Sequence, residues 1–95
     1  MKYALFYGDH YYPSGGWHDF HGYFDDAVEA LTKAVLSHCD WAHLVRLESR
    51  SYLFDIGEDE LRNLRNYVPE EYKKAGQIPP TAKAMFTAKV YEWLK

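Results

Sequence analysis

Between Gly8 and Asp25 the chain reads GDHYYPSGGWHDFHGYFD, and the turn at its centre constrains everything around it. Pro13 fixes one backbone angle and Gly15-Gly16 admit positive φ, so Pro-Ser-Gly-Gly reverses the chain. The flanking segments, Tyr3–Gly8 and Asp19–Phe24, then run back along each other as a wide hairpin, with Phe20 and Phe24 facing inward. Six aromatic residues lie within this stretch of 18, where a surface connection is ordinarily polar. Such a loop either packs on itself or presents a recognition surface.

Beyond the hairpin the chain is punctuated as clearly. Asp25-Asp26 opens a helix, and Asp26 with Glu29 has the spacing of a capping box. Ala27, Leu31, Ala34 and Val35 recur at helical spacing, Val28 and Leu36 widen the stripe, and His38-Cys39-Asp40 ends it. Trp41–Glu48 reads as a strand, Ser49-Arg50-Ser51 as a turn, and Tyr52–Ile56 as the returning strand before Gly57. Residues 1–56 therefore predict a β-β-α-β-β antiparallel sheet with one packed helix, an α+β fold.

Residues 57–95 read as a helical C-terminal extension of two to three helices packed on that core, all in a single domain. Glu58-Asp59-Glu60 suits the positive end of a helix dipole, with Leu61, Leu64 and Val68 as its stripe. Pro69 starts a short helix closed by Gly76, and Pro79-Pro80 breaks the chain again. Thr81–Leu94 forms the last helix, burying Ala82, Phe86, Val90 and Trp93 or Leu94.

Charge narrows the choice of partners. Residues 1–45 carry two basic and six acidic side chains, residues 46–95 nine and eight, and the total is −3. The absence of a basic stripe argues against direct nucleic-acid binding. Cys39 is the only cysteine, which excludes an internal disulfide and suits the cytoplasm. No apolar run reaches membrane-spanning length and no leader is legible, so no membrane association is expected.

The segment YALFYGDHYYPSGGWHDFHGYFDDAVEAL resembles the opening of small, mostly uncharacterised bacteriophage and prophage proteins. The resemblance is carried by Gly8, Asp9, Tyr11, Tyr12, Pro13, Gly15, Gly16, Trp17, Asp19, Phe20, Gly22, Phe24, Asp25 and Trp41. It covers about the first half of the chain, and residues 57–95 depart from it. It implies a phage setting, in which short acidic proteins bind and block host proteins, including components of host defence. The departure of the C-terminal helices makes them a second place where this chain's own specificity can reside.

Four sets of side chains carry the candidate chemistry. Tyr11, Tyr12, Trp17, Asp19 and Tyr23 form a candidate protein-binding surface, since Tyr and Trp supply rigid amphipathic contact area. Self-packing competes there: Trp17 and Phe20 can instead cover the sheet, with the aspartates closing the loop by accepting backbone N–H groups. Tyr91 and Trp93 form a second candidate surface, for a partner or a second copy of the chain. His10, His18 and His21, with Asp9 and Asp19, resemble a metal site, but strand alternation parts His18 from His21 and no second pair has ligand spacing. Cys39 and His43 lie four apart but straddle a helix-to-strand turn.

The resulting expectation is a non-catalytic accessory protein that binds a bacterial host protein, without cofactor or metal. A small metal-dependent hydrolytic enzyme using the cluster within residues 9–21 is one alternative. A homodimeric structural or virion accessory protein is the other.

Overall fold

The computed structural model describes residues 2–8, 19–37 and 39–94. Four strands form one antiparallel sheet: β1 (Tyr3–Gly8), β2 (Phe20–Phe24), β3 (Trp41–Arg46) and β4 (Ser51–Ile56). Helix α1 (Ala27–Leu36) connects β2 to β3, and α2 (Glu58–Arg65), α3 (Glu70–Ala75) and α4 (Pro80–Leu94) come after β4. The strand order is β2-β1-β3-β4. The expected β-β-α-β-β sheet followed by C-terminal helices is therefore present.

Local chemistry accounts for the helix ends. Asp26 sits in extended conformation before α1 and its carboxylate accepts the Val28 N–H at 2.9 Å, satisfying one of the orphan donors of the first turn. Pro69 precedes α3, where its missing N–H costs nothing, and Gly76 closes it. Pro80 is itself the first residue of α4, one residue earlier than the sequence pattern suggests. Both hairpin strands shift by one or two residues at their ends, as fraying termini do.

One hydrophobic cluster holds sheet and helices together. Leu5, Leu44, Phe54 and Ile56 from the strands meet Ala30, Leu31, Ala34 and Val35 from α1. Leu61, Leu64 and Val68 from the α2 region and Ala82, Phe86 and Val90 from α4 belong to the same cluster. The helices thus lie on one face of the sheet. Strand alternation sends the intervening residues to the opposite face.

Two bulges complicate that alternation. The register shifts between Leu5 and Phe6 against β2, and between Leu44 and Val45 against β4. Each inserts an extra residue on an edge strand, so two neighbours cannot both follow the simple two-residue period. On β2 the extra residue is His21. Its ring stacks flat on Tyr7, with centroids 3.5 Å apart and planes 3° apart, and Nε2 donates to the Tyr7 carbonyl at 3.2 Å. Gly22, beside it, has φ of +134°, a conformation that side chains with a Cβ rarely adopt.

The bulge also corrects one expectation. Phe24 packs against the core as anticipated, but Phe20, expected inward, lies on the opposite face beside its β1 partner Phe6. With one residue added between them, the two phenylalanines no longer share a face.

Candidate functional site

The sheet face turned away from the helices carries aromatic rings on all four strands. On the β1–β2 half, Phe6 and Phe20 have ring centroids 5.6 Å apart, and Phe20 and Tyr23 4.9 Å. Across β3, His43 pairs with Phe6 in the strand register. On the β3–β4 half, His43 lies 4.8 Å from Trp41 and 4.9 Å from Tyr52, with ring planes tilted by 50° and 52°. Tilted rings at these separations are the favoured geometry for aromatic pairs. The band thus crosses the whole sheet.

Its two ends are open to solvent. Tyr23 is 43% exposed and Tyr52 58%. Beside Tyr52, the Asp55 carboxylate lies 3.0 Å from His43 Nε2, and 61% of the Asp55 side chain remains exposed. His43 and Asp55 are direct partners across β3–β4, so the strand register alone brings them together. Among the described strand residues that share this face there is no Lys or Arg, and Asp55 is the one carboxylate.

Trp41 anchors the band from inside. It is 8% exposed, and its indole rests on the backbone of Gly8, its partner on β1. A Cβ placed on Gly8 would lie 2.9 Å from Trp41 Cζ2 and Nε1, closer than any carbon makes contact without movement. The indole is rigid, so either the ring or the strand must shift. Gly8→Ala is expected to cost about 1–3 kcal/mol. Chemical denaturation checks the loss, and an unchanged midpoint would show that the ring tilts away freely.

The residues singled out from sequence fall into three groups. Tyr11, Tyr12, Trp17, His10 and His18 lie outside the described residues. Tyr23 stands at the exposed end of the aromatic band, whereas Asp19 is nine-tenths buried just before β2. Tyr91 and Trp93 separate: Tyr91 is 64% exposed, while Trp93 packs on Phe54 with ring centroids 5.0 Å apart. Two residues apart on a helix, they point to different sides.

The nucleophile and metal readings gain nothing here. Cys39 is fully buried in the core and its Sγ donates to the Ala34 carbonyl at 3.3 Å, while His43 sits on the other face paired with Asp55. His21 is committed to Tyr7. Among the described residues no group of three His, Cys, Asp or Glu side chains is arranged to hold a metal ion. No helix among them is long and apolar enough to cross a membrane.

Two contributions were invisible to sequence reasoning. The His43–Asp55 pair needs the β3–β4 register, which the strand pattern alone does not give. Arg65, in α2, reaches across to the end of α1: Nε donates to the Val35 carbonyl at 2.8 Å and Nη2 to the Cys39 carbonyl at 2.7 Å. No motif announces a capping arginine supplied from 30 residues away.

Residues 3–56 match the family model described as Bacteriophage T4 protein Y07C, over more than half of the chain. The matched span ends at the last residue of β4, so it comprises the whole sheet and α1. No curated protein and no solved structure gives a significant match.

Proposed function

From the premise that the chain belongs to the bacteriophage T4 protein Y07C family, we propose that it is a phage-encoded, non-catalytic protein that acts by binding a bacterial host protein. The observation that carries this reading is the aromatic face of the sheet. It exposes Tyr23 and Tyr52 at either end of a continuous ring band, and among the described residues it offers no cation to a phosphate backbone. Aromatic stacking without basic side chains is poorly suited to nucleic acid, whose affinity rests on charge neutralisation. The same surface composition fits a protein interface, where Tyr and Trp dominate hot spots and charged residues are depleted at the centre.

Stoichiometric binding is the action that an exposed aromatic face supports. On the helical side, one open depression of about 600 Å3 is lined by Asp59, Glu60, Asn63, Tyr67, Met85 and Lys89 without a nucleophile beside a base. In a phage setting, a protein of this kind would inhibit or redirect its target, a host defence component included.

The test is capture of a host protein from bacterial cells by the tagged chain and by a Tyr23→Ser, Tyr52→Ser double variant. Both substitutions are at exposed positions, so the thermal midpoint should move by only a few degrees. The expected result is a discrete partner retained by the parent chain and lost by the variant. Equal capture by both would move the interface off this face.

A further inference from the structure

We propose that the β3–β4 end of the aromatic face is a receptor site for an arginine side chain of the partner, which stacks on Tyr52 and pairs with Asp55. This rests on the reading of that face as the protein interface and gives the partner its chemistry.

Three features of the site select that ligand. The first is the pairing of an exposed ring with an exposed carboxylate: Tyr52 is 58% and the Asp55 side chain 61% accessible on the same strand. A cation held over a ring face and against a carboxylate gains from both the ring quadrupole and the ion pair. Second, His43 Nε2 fixes one carboxylate oxygen at 3.0 Å while its ring packs against Tyr52, so neither ligand group has to be ordered on binding. Third, the neighbouring strand positions leave room for an apolar stem: Val45 is the β3 partner of Tyr52, and the described strand residues of this face include no Lys or Arg. An aliphatic stem ending in a planar cation complements such a surface, and the chain's net charge of −3 favours its approach.

The planarity of the guanidinium decides between the two basic residues. It can lie flat on the tyrosine ring while its edge donates two N–H groups to the carboxylate. An ammonium is compact and strongly hydrated and cannot do both at once.

The test is titration of the isotope-labelled protein, at low ionic strength, with a short peptide alternating Arg and Ser, followed by amide chemical shifts. Peptides of the same length carrying Lys or Glu in place of Arg are the comparisons. Saturable shifts centred on His43, Tyr52 and Asp55 are expected, with the Arg peptide about threefold tighter than the Lys peptide and the Glu peptide inert. Asp55→Asn and Tyr52→Leu should each weaken the Arg peptide about three- to fivefold, while Tyr52→Phe keeps its affinity because the ring remains. Shifts scattered over the acidic helices, equal binding of the Arg and Lys peptides, or an unaffected Asp55→Asn would each overturn the site. The interface reading fails separately. If the Tyr23, Tyr52 double variant loses its host protein but the Arg peptide never binds, the face is right and the arginine wrong. If capture is unaffected yet the Arg peptide binds at Asp55, the site exists but is not the interface captured.

Discussion

Phe86→Ala is expected to lower the free energy of unfolding by about 3–5 kcal/mol, the range for emptying a buried aromatic site. Among the described residues Phe86 is the largest fully buried side chain, at 0% exposure, and lies in the cluster that includes Leu5, Leu44 and Leu31. It belongs to α4, beyond the family match at residues 3–56, yet it shares one core cluster with the strands of the family's own sheet. A chain of this size has a total stability of roughly 5–15 kcal/mol, so the variant should populate unfolded forms at modest denaturant. Urea denaturation followed by circular dichroism measures the loss, with Phe86→Leu as the milder control at about 1 kcal/mol. A loss for Phe86→Ala no larger than that of the control would show that α4 is peripheral to the fold.

The second large effect is expected at Arg65. Its guanidinium donates to the carbonyls of Val35 and Cys39, one near the C-terminal end of α1 and one in the connection to β3. Carbonyls at the end of a helix have no partner within it, and a cation there also suits the negative end of the dipole. Arg65→Ala leaves both acceptors without their donor and should cost about 2–3 kcal/mol, the worth of charge-assisted hydrogen bonds in a part-buried setting. Arg65→Lys supplies charge without the fork, so it should recover only part of that loss. Faster amide exchange at the end of α1 and the start of β3 should accompany the alanine variant. If exchange accelerates only in α2 itself, the arginine is not what ties α2 to α1.

Taken together, Phe86 and Arg65 give residues 57–95 a structural part in a fold whose family match ends before them. The helical side supplies core and capping, and the sheet supplies the exposed aromatic surface. That division leaves Tyr23, Tyr52 and Asp55 free to vary in chemistry at small cost in stability, since none of them is buried.

Much of this molecule was legible from neighbours in the chain. Asp26 before an apolar stripe marks the start of α1, Pro69 and Gly76 bracket α3, and alternating apolar residues mark four strands; each signal is confined to one or two turns of backbone. Local chemistry also separated the buried stripe of α4 correctly, since Ala82, Phe86 and Val90 need only helical spacing. The candidate site was legible only in part. Tyr23 was singled out as an aromatic near a turn and His43 only as a neighbour of Cys39, while Tyr52 and Asp55 looked like ordinary strand residues.

The elements, their order and which side chains are apolar enough to be buried follow from the chain alone, because those depend on contacts and angles a few residues apart. Which face each strand residue occupies, and which distant residues meet, is set by the packed fold. A single bulged residue on β2 sent Phe20 to the face opposite the helices and His21 toward Tyr7. The register of β3 against β4 joined His43 to Asp55, and the packing of α2 on α1 gave Arg65 its carbonyls. Side-chain alternation has a period of two, so one inserted residue reverses it, and no local preference records where that insertion falls.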